Sequence, residues 1–562
     1  MINTILRLEF EHVFSDEEPQ ELLSYLGNVS KFMLLNIIGF TNTAPLPNFD
    51  NFFSNSSVQN DIIERVIRYS RANNIASKPD LISREACLRL AEIILSNKEA
   101  LFAEENEKDV DRDEINVFKA FLILNKEVNG KQKLTNSIEN EDKIADMMMA
   151  MSFSSIDSGL YNDNTIDLAK LLYATIIRFE MLIEFLQSKE EYDYLEKEIC
   201  TYFGQISSKE LLAQVKYLFA QILRLVHQNE FKFQVDEEDS IAFLDSLVGD
   251  DIQEIPDFTS LKNYPIYKIE ANVYSVIDYF FLMDKFVKSV RFILKSSFEQ
   301  HHNLPPTDRT FFSWYNTNFS EEFLIVSILD KIFHQKYLVK KAIREDNQNE
   351  PDYYVRNAKR VFLFEIKDVL IRGDIKASGD IEKINSVLKQ KFLKSGRSDI
   401  GVGQLVNHIV KIVENTFQFD DYVNTKNNIT IYPILLVSDR IFELPGANFR
   451  LNQWFLESIK EKLGDRYNPS FIKNLTVIDF DTLIYWQTHL VEKDANFRKI
   501  LDLHLKALNT KVKISNRNLE EGKRKANIEY SKKLSPISNR LNNYKFPMKL
   551  LVDKFRDVLP EQ

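Results

Sequence analysis

The sequence is poor in several features that mark particular classes of protein. Only two cysteines occur among 562 residues, so no disulfide framework can form and we expect a reducing, cytoplasmic environment. No run of about 18 apolar residues is present, which predicts no membrane-spanning helix. The first nine residues lack the basic-then-apolar order of a signal peptide. No Gly-x4-Gly-Lys-Ser/Thr sequence occurs either, so the chain contains no recognisable ATPase.

Charge is plentiful, and its two signs are separated along the chain. The net charge is −11, but residues 1–300 carry 30 lysines and arginines against 50 acidic residues, whereas residues 301–562 carry 42 against 33. Phosphate binding needs positive charge, because each neutralised phosphate releases counterions. We therefore expect nucleic acid to contact the C-terminal part. Two ordinary solvated surfaces are the alternative.

Apolar residues recur at helical spacing through most of the first 300 residues and predict a largely α-helical region. Six helices are predicted, over 62–75, 86–101, 115–124, 168–185, 211–226 and 281–298. An opening strand over 5–14 and a hairpin over 264–277 are the predicted exceptions. We interpret residues 1–300 as a sensing or partner-binding region with an unknown trigger or protein partner, and a homo-oligomer is left open. Residues 301–317 contain paired prolines and are interpreted as a linker.

Beyond residue 317 the pattern changes to alternating helices and strands. The predicted strands cover 337–344, 352–356, 361–367, 434–437 and 475–480. The predicted helices cover 320–334, with Ser320 as a cap, and 381–393, 404–417, 451–463 and 482–491. This order predicts an α/β unit over 318–495, with a central mixed sheet flanked by helices, and a basic helical C-terminal extension over 496–562. The predicted fold class is therefore multidomain, α plus α/β.

Three ionisable residues stand at the ends of neighbouring predicted strands. Pro351-Asp352 opens the second strand of the α/β unit, and Glu365-Ile366-Lys367 closes the third after four apolar residues. Glu365 and Lys367 are two residues apart, so both side chains leave the same face of the sheet. Acid-x-Lys also occurs elsewhere, as in Glu230-Phe231-Lys232, but there it neither ends a four-residue apolar strand nor follows a Pro-Asp pair.

This arrangement resembles the active site of the PD-(D/E)XK superfamily of restriction-endonuclease-like nucleases, over about residues 318–490. The resemblance implies a Mg²⁺-dependent endonuclease, with Mn²⁺ as a substitute, that hydrolyses phosphodiester bonds of nucleic acid, DNA being favoured. It also implies a restriction or anti-phage, antiviral defence role. Asp352, Glu365 and Lys367 would be catalytic, and Asp352, Glu365 and the Ile366 carbonyl would be metal ligands. Mg²⁺ prefers hard oxygen ligands and usually takes one or two carboxylates.

The same resemblance assigns further residues around this motif. Glu322 in the first predicted helix is a candidate metal ligand, with Glu321 an equal candidate and an acid that favours the helix dipole as the alternative. Gln404 matches a glutamine often found on the helix after the motif strand and is a candidate catalytic residue, with helix capping as the alternative. Basic residues are predicted to bind the phosphate backbone: Lys340, Lys341, Arg344, Arg356, Lys359, Arg360, Arg372, Lys376, Lys389, Lys394 and Arg397.

Two other functions stay open from the sequence alone. A nuclease fold can dock nucleic acid without cutting it, although the presence of Asp352, Glu365 and Lys367 together argues against that function. The same fold also supports an RNase or a branched-DNA resolvase. No stacking-rich groove is recognisable that would separate RNA from DNA as the ligand.

Overall fold

The computed structural model shows a helical first half that packs against a five-stranded sheet with helices on both faces. It describes residues 7–43, 45–75, 78–103, 107–131, 141–155, 165–333, 337–341, 350–491, 496–512, 519–541 and 544–558. Within these ranges no helix is long and apolar enough to cross a membrane. The coarse prediction of a helical region followed by an α/β unit is confirmed, whereas the predicted domain boundaries stay predictions.

Helices account for most of the chain before the large sheet. They are α1 (Phe10–Val13), α2 (Leu22–Leu26), α3 (Lys31–Ile37), α4 (Ser56–Ala72), α5 (Arg84–Ser96), α6 (Lys98–Leu101), α7 (Val110–Lys131), α8 (Glu141–Ser155), α9 (Thr165–Gln187), α10 (Asp193–Tyr202), α11 (Ser208–Gln228), α12 (Glu238–Asp245), α13 (Thr259–Asn263), α14 (Tyr279–Asp284), α15 (Val290–His301), α16 (Thr310–Trp314) and α17 (Val326–Ile332). The π-helical segments Lys285–Ser289 and Tyr315–Ile325 join α14 to α15 and α16 to α17. All six helices predicted from apolar spacing are present, at α4, α5 with α6, α7, α9, α11 and α14 with α15.

The strand predicted over 5–14 is wrong in its described part, because residues 10–13 form α1. Phe10 and Val13 are both buried, and a spacing of three residues puts two side chains on one face of a helix rather than of a strand. The predicted hairpin over 264–277 is confirmed. A three-residue strand, β1 (Lys232–Gln234), pairs with its second strand, so that β2 (Ile266–Glu270) and β3 (Val273–Val276) belong to a small antiparallel sheet.

The large sheet has the mixed topology that the sequence predicts. Its strands are β4 (Leu338–Lys341), β5 (Tyr353–Asn357), β6 (Arg360–Lys367), β9 (Thr430–Val437) and β10 (Thr476–Asp479), whereas β7 (Lys394–Ser395) and β8 (Ser398–Asp399) form a separate hairpin. The strand order is β10-β9-β6-β5-β4, with β4, β5 and β6 antiparallel and β6, β9 and β10 parallel. The helices of this part are α18 (Gly373–Lys376), α19 (Ile381–Phe392), α20 (Val402–Val413), α21 (Asp421–Asn424), α22 (Ala447–Leu463), α23 (Phe480–Val491), α24 (Phe497–Leu508), α25 (Leu519–Leu534), α26 (Ser538–Leu541) and α27 (Met548–Phe555).

Pro433 lies inside β9, because this strand begins at Thr430 and not at the predicted residue 434. The backbone N–H of Ile431 donates to the carbonyl of Phe471, and the Ile431 carbonyl accepts from Lys473, so residue 431 faces the β10 side. Pro433 is two residues further and faces the same side. The β9–β10 ladder begins one residue later, at Ile434. The proline therefore removes no ladder hydrogen bond, which is why a central strand tolerates it.

Alternate side chains of β6 are buried in two separate cores, one on each face of the sheet. Val361 and Leu363 pack with α19, α20 and α22 on one face of the sheet. Phe362, Phe364 and Ile366 pack on the other face, in a core that also contains α9, α15, α17, α23 and α24. Both faces of the sheet are therefore covered, as expected for a strand with an unbroken apolar run.

The core on the second face of the sheet includes side chains from residues 301–317, the segment that the sequence predicts to be a linker. That segment contains α16, and its Phe311 is fully buried in the same core as side chains of α9 and α27. The helix predicted to start at a Ser320 cap starts earlier, at Thr310, and runs on through the π-helical segment. Ser320 is instead buried inside that segment, so its predicted capping role is wrong. A cut at residue 300 would expose much of this core.

Candidate active site

Asp352, Glu365 and Lys367 come together at the carboxyl end of β6. Glu365 and Lys367 lie on the face of β6 that carries Leu363, which is the face covered by α20. Asp352 immediately precedes β5, and one of its oxygens, Oδ2, accepts a hydrogen bond from the backbone N–H of Ile366 at 2.7 Å. The Lys367 Nζ is 3.6 Å from this Asp352 oxygen and 3.4 Å from Glu365 Oε2. The predicted motif is therefore one side-chain cluster.

The charges of this cluster are strongly perturbed by burial. Glu365 has no exposed surface, and burial together with the neighbouring Asp352 carboxylate raises the pKa of Glu365 well above its ordinary value. Burial alone would lower the pKa of Lys367, but the carboxylates of Asp352 and Glu365 more than offset it and the pKa is raised. These surroundings favour the charged form of Lys367 and disfavour the charged form of Glu365.

His408 on α20 is a member of the cluster that the sequence did not reveal. A hydrogen bond of 3.1 Å joins His408 Nε2 to Glu365 Oε1. Burial, helped by the cation of Lys411, lowers the pKa of His408 to about 4, so the ring is neutral at physiological pH. The available signal was a polar residue among Leu405, Ile409 and Ile412 on the buried face of a helix, but that pattern does not say which strand residue it faces.

The start of α20 lies directly beside Lys367. Gly401 precedes the helix with a φ of +49°, and a Cβ there would come within 3.6 Å of Lys367 Cγ and 3.0 Å of the Phe392 carbonyl oxygen. The Gly401 N–H donates to Gln404 Oε1 at 2.8 Å, which is a capping hydrogen bond. The capping alternative for Gln404 is therefore present, and a catalytic role for Gln404 stays a prediction.

Of the two candidate glutamates in the first predicted helix, Glu321 is the one whose charge affects Lys367. Its charge contributes to the raised pKa of Lys367. Glu322, which we selected as the candidate metal ligand, is exposed on the π-helical segment. A metal-binding role for Glu322 stays a prediction, and the geometry favours its neighbour.

The residue after Lys367 belongs to a different network on the opposite side of the sheet. Asp368 accepts two hydrogen bonds from Arg291 of α15, at 3.0 and 3.2 Å, and a third from Ser320 Oγ at 2.6 Å. Arg291 and Asp368 are both buried, and these contacts hold the pKa of Asp368 below its ordinary value although burial opposes it. A comparable contact lies at the end of β9, where Arg178 of α9 donates to Ser438 and Asp481. The helical region therefore contacts the carboxyl ends of both central strands.

Several of the basic residues predicted to bind phosphate do not lie beside the cluster. Lys359 is in the turn between β5 and β6, and Arg360 is the first residue of β6, about 23 Å of extended strand away from Lys367 at 3.3 Å per residue. Arg356 is near the same turn, where its guanidinium donates to Asp420 at 2.5 Å and lies 4.0 Å from the Tyr422 ring. These contacts favour a structural role for Arg356, and phosphate binding by this residue stays a prediction.

Other basic residues do lie on the side of the cluster. Lys394 and Arg397 are exposed on the β7–β8 hairpin, which leads directly into Gly401. Arg372 and Lys376 follow β6. The remaining residues of this set are more distant or already engaged: Lys340 donates to the Phe419 carbonyl, Lys341 pairs with Asp330, Lys389 lies over the Trp454 ring, and Arg344 is outside the described residues. Phosphate binding by any of these residues stays a prediction.

The donor set partly fits a divalent metal ion. Asp352 and Glu365 supply two hard carboxylate groups, and burial raises the pKa of Glu365, so a cation bound there would favour its anionic form. Among the described residues, however, no group of three or more His, Cys, Asp or Glu side chains is arranged to hold a metal ion. Two carboxylates with a backbone carbonyl are the number of protein ligands that Mg²⁺ commonly uses.

Comparison with known proteins adds no assignment to this geometry. No family model, no curated protein and no solved structure matches the chain.

Proposed function

We propose that this chain is a metal-dependent nuclease whose active site is formed by Asp352, Glu365 and Lys367. The observation that carries the proposal is the meeting of two carboxylates and a charged lysine at the end of a central strand, on one face of the sheet. The order of elements supports it, since a helix, three strands, a helix and a further strand is the order on which the family resemblance rests. The positive net charge of residues 301–562 supports nucleic acid as the ligand.

Each residue of the cluster has a definite task in phosphodiester hydrolysis. Asp352, Glu365 and the Ile366 carbonyl would hold Mg²⁺, which lowers the pKa of a bound water and neutralises charge on the phosphate. The Lys367 ammonium, kept charged by its neighbours, orients the attacking water or stabilises the charge that builds on the phosphate oxygens. The hydrogen bond from His408 holds Glu365 Oε1, so that Oε2 faces Lys367. The first N–H groups of α20 add partial positive charge beside Lys367.

The test uses the purified full chain with Mg²⁺ and three substrates in parallel: duplex DNA, single-stranded DNA and RNA. We expect cleavage of at least one of them, DNA being favoured, and none with Glu365→Gln or in EDTA. Glu230→Gln is the matched control, because Glu230 belongs to another acid-x-Lys triplet and is exposed. Intact substrates under all conditions, with a folded protein, would refute the proposal. Cleavage by Glu365→Gln at the wild-type rate would refute the assigned site.

A second function is favoured by one specific observation. Glu365 is completely buried, and no group of three or more potential ligand side chains is arranged to hold a metal ion in the described part of the chain. Such a site suits a protein that binds nucleic acid without cutting it. That function predicts binding of equal affinity with Mg²⁺ and with EDTA, whereas a nuclease site predicts that Mg²⁺ or Mn²⁺ strengthens binding to the Lys367→Ala variant.

A further inference from the structure

A cleft of about 550 Å³ lies between the helical region and the segment that follows β6. Its walls come from residues 257–263 around α13, from residues 284–292 between α14 and α15, and from residues 370–376. Its volume is within the usual range for sites that bind small molecules. The wall formed by residues 370–376 begins three residues after Lys367, so the cleft is close to the candidate active site in sequence but is formed by other side chains.

The cleft is rich in cations. Lys262, Lys288, Arg372 and Lys376 line it, against two carboxylates, Asp257 and Asp284. The two lysines from the helical region are fixed by neighbours: Lys262 donates to the Asp257 carbonyl at 2.5 Å, and Lys288 lies 3.2 Å from Asp284. Arg372 lies at the mouth, with 82% of its side chain exposed, and donates to the Asp374 carboxylate at 2.9 and 3.0 Å. Cations on both walls of the cleft suit a ligand with several phosphate oxygens.

An aromatic ring completes this lining. Phe292 of α15 is 51% exposed although it is a large apolar side chain, and one edge of its ring contacts Phe312 at a centroid distance of 5.9 Å. Leu370 and Ile371 supply further apolar surface. An aromatic face beside cations is the combination that binds a base and its phosphates together.

From this lining we infer that the cleft binds a nucleotide, with the base against Phe292 and the phosphates at Arg372, Lys376 and Lys262. Gly373 sets the width of the cleft, because a Cβ there would overlap the Asp257 carboxylate of the opposite wall. A bound nucleotide would therefore contact the helical region and the end of the motif strand at once. Two sources share this chemistry: a free nucleotide that acts as a trigger, and a nucleotide of a substrate strand. The second source rests on the proposed function.

The test is calorimetric titration of the full chain in EDTA, so that no cleavage occurs. The probes are ATP, inorganic tripolyphosphate and a single-stranded DNA pentanucleotide. We expect ATP or the pentanucleotide to bind more tightly than tripolyphosphate, and Phe292→Ala to weaken that binding by about five-fold to 100-fold. Phe292→Ala should leave tripolyphosphate binding unchanged, whereas the double variant Arg372→Ala, Lys376→Ala should weaken it. Lys197→Ala, an exposed lysine on α10, is the control.

The outcomes distinguish a free nucleotide from a substrate strand as the ligand, and they test the cleft separately from the proposed nuclease function. ATP binding without pentanucleotide binding identifies a free nucleotide, and the reverse identifies the substrate strand. Absence of binding by both probes, or binding that neither variant changes, overturns the inference. Glu365→Gln should keep wild-type nucleotide affinity. If nucleotides bind in the cleft but no nucleic acid is cleaved under any condition, the nuclease proposal fails and the cleft inference stands.

Discussion

Two adjacent residues at the end of β6 carry opposite charges into opposite sides of the sheet, and the surroundings of these charges differ. On one side Asp368 receives three hydrogen bonds, two of them from a buried guanidinium and one from a serine hydroxyl. On the other side Lys367 lies between two carboxylates, and burial raises the pKa of Glu365. His408 Nδ1 on that side has no hydrogen-bond partner among the described residues.

The two sides differ in the cations and hydrogen bonds that each carboxylate already has. Asp368 is paired with a buried guanidinium, so a ligand there would have to replace that ion pair, although Arg291 Nε has no hydrogen-bond partner among the described residues. A buried carboxyl group with a raised pKa is destabilised as an anion and gains from a metal ion or a substrate charge. We therefore expect a ligand on the Glu365 side, whereas the Asp368 side is the contact that joins the helical region to the sheet.

The largest effect should come from removing the buried ion pair between Arg291 and Asp368, and it should appear in stability. Arg291→Ala leaves the Asp368 carboxylate buried and unpaired, so we expect the free energy of unfolding to fall by about 3–5 kcal/mol. Urea unfolding of the full chain, followed by tryptophan fluorescence, measures this change. The control is Arg372→Ala, which removes a guanidinium that is 82% exposed and should change stability by less than about 0.5 kcal/mol. A loss below about 1 kcal/mol for Arg291→Ala would show that the two sides do not differ as described.

The next effect should come from the Glu365 side of the sheet and should appear in cleavage activity. Asp352→Ala, Glu365→Ala and Lys367→Ala should each reduce cleavage at least about 10²-fold, because each removes a positioned charge. Their unfolding midpoints should stay close to that of the wild type, since removal of Glu365 also removes the cost of its burial. Initial rates with labelled DNA measure the first expectation. A variant of this group that cleaves at the wild-type rate would contradict the site.

A smaller effect, on activation by the metal ion, is expected at His408 on the Glu365 side of the sheet. His408→Ala removes the hydrogen bond to Glu365 Oε1 and should weaken Mg²⁺ or Mn²⁺ activation about 10-fold to 100-fold, as loss of a supporting hydrogen bond does at other metal sites. His408→Gln keeps a donor and should restore part of the affinity. His504→Gln is the matched control, since His504 is also buried but bonds to Asn448 away from the cluster. Equal metal dependence in all three variants would remove His408 from the site.

The smallest effect concerns the salt dependence of nucleic-acid binding. Arg397→Ala should lower the slope of log Kd against log salt by about one unit, because one phosphate contact is lost. Arg356→Ala should leave the slope unchanged and lower stability instead, since it breaks the ion pair with Asp420. Fluorescence anisotropy at several salt concentrations distinguishes them. A change of slope with Arg356→Ala would show that the basic residues around β6 act together despite their separation.

The local elements and the motif were predictable from the sequence for a simple reason. Apolar spacing is local information, so the six N-terminal helices and the strands of the large sheet could be located to within a few residues. The pairing of Asp352 with Glu365 followed from their positions at the ends of consecutive strands. The errors were also local: the apolar alternation over 5–14 suggested a strand, and Ser320 and Pro433 were assigned the positions that these residue types most often take.

What only the tertiary structure decided is which side chains meet across long separations in sequence. Arg291 and Asp368 are 77 residues apart, and His408 is 43 residues from Glu365. No periodicity links such pairs, because their contact depends on which face of one element packs against which edge of another. The sequence by itself thus determined the candidate cluster Asp352, Glu365 and Lys367. The packing of α15 and α20 decided that Arg291 pairs with Asp368 and that His408 bonds to Glu365.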